Sequence, residues 1–74
     1  MEANIIGARI KELRREINLS QAKFGEILLV SQDTISLWEN GKAIPNTEYV
    51  IEICKKFDVS SDYILGLKDY LHIW

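Results

Sequence analysis

Residues 31–42, SQDTISLWENGK, gather several short polar side chains into one compact stretch. An amide (Gln32), a carboxylate (Asp33), hydroxyls (Ser31, Ser36) and a second amide (Asn40) fall within ten positions of one another. Ser31 suits a helix N-cap, where its hydroxyl accepts from an orphaned backbone N–H, and Gly41 suits the left-handed residue that ends a helix. At about 100° per residue, Thr34, Ile35 and Trp38 share one face of the intervening helix. Gln32, Asp33, Ser36, Leu37 and Asn40 spread over the opposite arc. An ordinary exposed helix face carries long Lys and Glu side chains, which favour helix and solubility. This arc has low relief and presents groups that can exchange hydrogen bonds with base edges in a major groove, which is just wide enough for a helix. Base reading is therefore the chemistry expected of this stretch.

A second set of helices must hold it. Apolar residues at Ile6, Ile10, Leu13 and Ile17 are spaced four, three and four, which predicts an amphipathic helix over about 4–17 with Asn18 as its left-handed stop. Gly7 weakens that helix by roughly 1 kcal/mol relative to alanine. Ser20 offers an N-cap for a helix over 21–28 whose inner face is Ala22 or Phe24, with Ile27 and Leu28. Leu29, Val30 and Ser31 must then turn the chain, and two short helices joined so tightly read as a helix-turn-helix. Residues 42–45 form a loop, since Pro45 keeps Ile44 out of the helical region. Asn46 caps the next helix, where Val50, Ile53, Cys54 and Phe57 recur at i, i+3, i+4 and i+7. Ser60 and Gly66 bracket a last short helix with Ile64 and Leu65 facing inward. No strand pattern occurs, so the expected architecture is all-α, five helices around one core.

Size and composition narrow the function classes. A chain of 74 residues is one domain, and its 47% hydrophobic content makes a packed core plausible. One cysteine, Cys54, and one histidine, His72, leave almost no ligands for a metal site. No acid/base constellation or phosphate-binding loop can be assembled, so neither catalysis nor a cofactor is expected. No run of about 18 apolar residues and no secretory signal pattern is visible, which makes a cytoplasmic location, away from any membrane, the expectation. The net charge of −2 runs against the basic stripe common in nucleic-acid binders.

The run LSQAKFGEILLVSQDTISLWENGKAIPNTEYVIEICKKFDVSSDYILGL resembles the lambda-repressor-like (Cro and phage repressor) helix-turn-helix family. The likeness covers about residues 5–67, and its most specific parts are LSQ at 19–21, VSQ at 30–32, TIS at 34–36, WENGK at 38–42 and DYILG at 62–66. The resemblance implies a compact five-helix DNA-binding domain over 1–67 with the helix-turn-helix at its second and third helices, followed by a tail over 68–74. It implies a prokaryotic or phage transcription regulator, most often a repressor, that docks its third helix on double-stranded operator DNA, commonly as a homodimer. Carried over position by position, Gln32, Asp33 and Leu37 would read bases with Ser36 beside them. Gln21, Ser31, Asn40, Lys42 and Arg14 would meet the DNA backbone, and Arg14 with Glu39 would form an ion pair between first and third helices.

The chain departs from the family pattern at Gly25, where Ala is common, at Leu29, where Gly is common, and at Ala43 and Ile44, where basic residues are common. Leu29 would be a costly left-handed residue.

Each site residue also has a plainer reading. Gln32 could be a solvated residue of a first turn, and Asp33 could serve only the helix dipole. Leu37 could meet a thymine methyl or be covered by the tail or a partner. Trp38 and Phe24 belong to the core, as does Cys54, a small hydrophobe. Arg14 and Glu39 would aim the third helix and leave Arg14 a spare donor for phosphate. Tyr70, Leu71, His72, Ile73 and Trp74 could pair two copies, pack on their own monomer, contact a protein partner or begin a linker. A protein-interaction module or an antitoxin using the same fold, with weak or no DNA binding of its own, is the alternative function.

Overall fold

The computed structural model describes residues 3–68. Within them the chain forms α1 (Ala3–Glu16), α2 (Gln21–Leu28), α3 (Gln32–Glu39), α4 (Thr47–Phe57) and α5 (Ser61–Ile64), with no strand. The expected all-α architecture of five helices is what forms. The tail residues Tyr70 to Trp74, and the pairing or packing expected of them, lie outside the described residues.

Four of the five helices start on a residue that caps them. The side chains of Ser20, Ser31, Asn46 and Ser60 accept from the backbone N–H groups of Lys23, Thr34, Tyr49 and Asp62 at 3.1, 3.1, 3.0 and 3.0 Å. Each cap satisfies one donor that helix geometry leaves orphaned, worth about 1 kcal/mol. Left-handed residues follow α1, α2 and α4, at Asn18 (φ 58°), Leu29 (φ 62°) and Asp58 (φ 54°).

One core collects the inward stripes. Ile6, Ile10 and Leu13 of α1 meet Phe24 and Leu28 of α2, Ile35 and Trp38 of α3, Val50 and Ile53 of α4, and Tyr63 and Ile64 of α5. Phe24 stacks on Phe57 with ring centroids 4.6 Å apart and planes nearly parallel. Trp38 tilts against Tyr49 at 5.2 Å. Cys54 is half-buried against this core, and burial pushes its thiol upward, so it stays protonated and acts as a small apolar side chain.

The structure corrects the helix faces in three places. Ile17 falls past the end of α1 and is exposed, because the chain turns at Asn18 before the fourth position of the stripe can point inward. Ala22 faces solvent, and the inner face of α2 is Phe24, Gly25 and Leu28 with Ile27 only partly covered. Tyr63, which the sequence reading passed over, is fully buried. Burial raises its phenol pKa, its hydroxyl donates to the Glu12 carboxylate, and the Arg9 guanidinium lies 4.8 Å from its ring centroid, so polar contacts tie α5 to α1.

The turn between α2 and α3 closes as expected despite Leu29. The Val30 N–H reaches the Gly25 carbonyl at 2.9 Å and the Leu29 N–H reaches Glu26 at 3.2 Å, a pair of bonds that needs Leu29 left-handed. Its side chain is 91% exposed, so no packing offsets the steric cost. Leu29→Gly should therefore raise the unfolding free energy by roughly 0.5–1 kcal/mol, the strain removed less the extra entropy glycine gives the unfolded chain. A urea midpoint that shifts upward at constant slope is the expected result.

Candidate nucleic-acid interface

Helix α3 is held so that one edge is sealed and the other open. Ile35 (0% exposed) and Trp38 (4%) point into the core. Gln32 and Asp33 on the outer arc are exposed, Leu37 is 44% exposed, and Ser36 is half-buried. Among the described residues the side chains of Gln32 and Asp33 make no hydrogen bond or ion pair, so their polar atoms stay available. Asp33 also lies in the first turn, where a carboxylate favours the helix dipole.

The surrounding residues are more committed. Ser31 Oγ accepts from the Thr34 N–H and lies 3.0 Å from Thr34 Oγ1, so its hydroxyl is largely used by the cap. Asn40 Nδ2 donates to Ser36 Oγ at 3.3 Å, which orients both side chains on the open edge. Lys42 follows Gly41 (φ 73°), and its exposed ammonium has no partner among the described residues. Its backbone N–H closes on the Leu37 carbonyl at 2.9 Å, which fixes where the side chain leaves the helix end.

Beneath the open edge lies a buried acid. Glu39 is the last residue of α3, and its side chain is 1% exposed. Arg14 Nε donates to Glu39 Oε2 at 2.6 Å and Arg14 Nη2 to Oε1 at 3.0 Å, the forked geometry of a guanidinium on a carboxylate. Gln21 Nε2 donates to the same Oε1 at 3.1 Å, and Arg14 Nη1 donates to the Leu19 carbonyl at 2.9 Å. The carboxylate thus joins α1, α2 and α3, and its Arg14 partner extends the set to the turn between α1 and α2. Burial alone would raise the Glu39 pKa, but the donors on it and the Arg14 charge win and hold it below the usual carboxylate range. The Glu39 hydrogen bond in turn raises the Arg14 pKa.

Arg14 and Glu39, expected as a pair between the first and third helices, are paired in the structure. Gln21, expected at a DNA phosphate, turns one amide N–H onto Glu39. Three of the five N–H groups of Arg14 are engaged inside the protein, which leaves two for any ligand. The signal for a third partner was present in Trp38-Glu39: an acid next to a core indole must bury with its donors or not at all.

A sequence model of the family described as Helix-turn-helix matches residues 10–64. The chain is 40% identical over 62 residues to "Antitoxin PezA" of Streptococcus pneumoniae, covering 84% of this chain and 39% of that one. It is 34% identical over 65 residues to "Repressor protein C2" of Salmonella phage P22, covering 88% of this chain and 30% of that one. The chain therefore spans well under half the length of these relatives. A crystal structure of the P22 c2 repressor in complex with a synthetic operator superposes with a TM-score of 0.73 at 34% identity, over 80% of this chain and 89% of that one. With the capped α2–α3 pair, the open edge of α3 and these likenesses together, the chain belongs to the helix-turn-helix family of the lambda-repressor-like, Cro and phage-repressor type.

Proposed function

We propose that the open edge of α3 enters the major groove of double-stranded DNA and reads base edges there, making this chain a cytoplasmic, sequence-specific transcription regulator that acts as a repressor. The observation that carries the reading is the split of α3 into a buried Ile35, Trp38 and Glu39 side and an open Gln32, Asp33 and Leu37 side. Gln32 pairs with adenine N6 and N7, Asp33 accepts from cytosine N4, and Leu37 meets a thymine methyl, with Ser36 at the margin. Lys42, Asn40, Gln21, Ser31 and the free donors of Arg14 position the phosphates. The likeness to an operator-bound repressor supports this reading. Two copies on a two-fold operator would place their recognition helices roughly 34 Å apart.

Selection from a random duplex pool tests the proposal. The chain is expected to enrich one consensus, with half-sites about one helical turn apart. A pool that stays random would overturn it. Cations near the groove are few and Arg14 is already paired with Glu39, so affinity should fall only gently with salt, at a log–log slope of about −1 to −2, of which Lys42 contributes about one unit. Asp33→Asn removes a charge that faces the duplex and should strengthen binding to random duplex a few-fold while weakening preference at one base pair. Equal affinities for both chains on both duplexes would leave Asp33 to the helix dipole alone.

A further inference from the structure

Residues four apart on a helix lie one above the other, so Gln32, Ser36 and Asn40 form a single stripe along the open edge of α3. The two ends of that stripe meet different chemistry. A helix that docks by its N-terminal turn carries that turn to base edges, while Asn40, roughly 12 Å further along, leaves the groove at the level of the phosphates. Ser36 lies between them and is half-buried. Its hydrogen bonds decide which end it serves.

Ser36 is bonded to Asn40 twice. Its carbonyl accepts the Asn40 backbone N–H at 3.0 Å, and its hydroxyl accepts from Asn40 Nδ2 at 3.3 Å. A hydroxyl can donate while it accepts, and an amide nitrogen carries two hydrogens. Among the described residues, the Ser36 hydroxyl hydrogen and the second Asn40 amide hydrogen have no acceptor. Two donors therefore stand side by side on the open edge. The turn beneath them is fixed, with the Gly41 N–H on the Trp38 carbonyl at 3.1 Å and the Lys42 N–H on the Leu37 carbonyl at 2.9 Å. Helix α1 closes on the same turn, where a Cβ on Gly7 would lie 1.8 Å from the Trp38 carbonyl oxygen. Donors held in this way lose little freedom when a ligand arrives.

We propose that Ser36 is a positioning residue for Asn40, and that the two side chains act as one unit on a single DNA phosphate group rather than on bases. The inference rests on the reading of α3 as the helix that enters the groove. A phosphodiester has acceptor oxygens and no hydrogen, so it fits a pair of donors. Bonded to Ser36, the Asn40 amide keeps its second hydrogen for the phosphate, and the Ser36 hydroxyl, polarised by the bond that it accepts, donates beside it. Neither group is charged. The unit therefore adds affinity without releasing a counterion and without telling one sequence from another.

The test uses the whole chain, the consensus duplex that the native chain selects, and a scrambled duplex. Ser36→Ala, Asn40→Ala, the double variant and Ser36→Thr are each titrated on both. Asn40→Ala is expected to lose roughly ten-fold on either duplex, the scale of one hydrogen bond to a charged group, and Ser36→Ala roughly three-fold. The double variant should lose no more than Asn40→Ala alone, because groups that act as one unit are not additive. Ser36→Thr restores the hydroxyl and should bind as the native chain does, with the salt slope unchanged throughout. A role in helix stability alone predicts the opposite order, since alanine favours helix and threonine does not. Losses that add, a change confined to one base pair in Ser36→Ala, or native affinity in that variant would overturn the inference. A native chain that selects no consensus would overturn the reading of α3, and the inference with it.

Discussion

Glu39→Ala should cost the fold about 3 kcal/mol, the largest loss expected from any polar side chain described here. The reason is the asymmetry of a buried pair. Forming it gains little net energy, because two charges leave water, but removing one member strands the other where water cannot fully replace the lost partner. Arg14 is 13% exposed and keeps its bond to the Leu19 carbonyl, which places the cost at the lower end of the usual range. Gln21 loses its partner as well. Urea unfolding gives the magnitude directly. The same variant should bind random duplex more tightly, because an acid is gone from under the DNA-facing surface, while its preference for a consensus falls as α3 loosens. A variant that lost stability yet kept full discrimination would show that the pair holds the fold without aiming the helix.

Glu39→Gln isolates the charge. The folded pKa of Glu39 is lowered from 4.5, so its contribution to stability is complete above that pH and is lost as pH falls through the lower folded value. Native stability should therefore drop on acidification below about pH 4.5, and the Gln variant, starting lower, should show a shallower drop. Parallel curves for the two chains would mean that other carboxylates carry the acid limb.

Much of this architecture was legible because its signals were local. Ser20, Ser31, Asn46 and Ser60 cap helices by short-range hydrogen bonds, and each can be read from four or five consecutive residues. The stripes of α1 and α4 follow from periodicity alone. What could not be read depended on which surfaces meet. Gly7 looked like a weakness in α1, because its need arises from the Trp38 carbonyl, 31 positions later in the chain. Ile17 fitted the stripe by spacing and missed the core because the helix ended one residue earlier. Leu29 was readable as a strained residue, yet the bonds of Val30 and Leu29 to Gly25 and Glu26 decided that the turn forms regardless of that cost. For the open edge of α3, sequence alone fixed which side chains share an arc. That the arc faces outward is a consequence of Trp38 and Glu39 being gripped from α1 and α2.

Gln32→Ala should reduce affinity for the consensus by ten- to a hundred-fold, the range of one bidentate base contact of about 1–3 kcal/mol. Its side chain is exposed and unbonded among the described residues, so truncation removes no internal interaction and leaves stability within about 0.5 kcal/mol. The loss should also be local in sequence. Titration against every single-base change in the consensus should show the native chain penalising changes at one A·T pair and the variant indifferent there, with other positions unaltered. Lys42→Ala provides the contrast, because a phosphate contact weakens consensus and random duplex alike and makes the salt slope about one unit shallower. If Gln32→Ala instead lowered both affinities equally, the amide would be a backbone contact and base reading would fall to Asp33 and Leu37. No loss on either duplex would leave Gln32 a solvated first-turn residue and move the groove-facing surface off the N-terminal turn of α3, because an exposed amide at that place cannot lie in a major groove without exchanging its hydrogen bonds with water for bonds to bases.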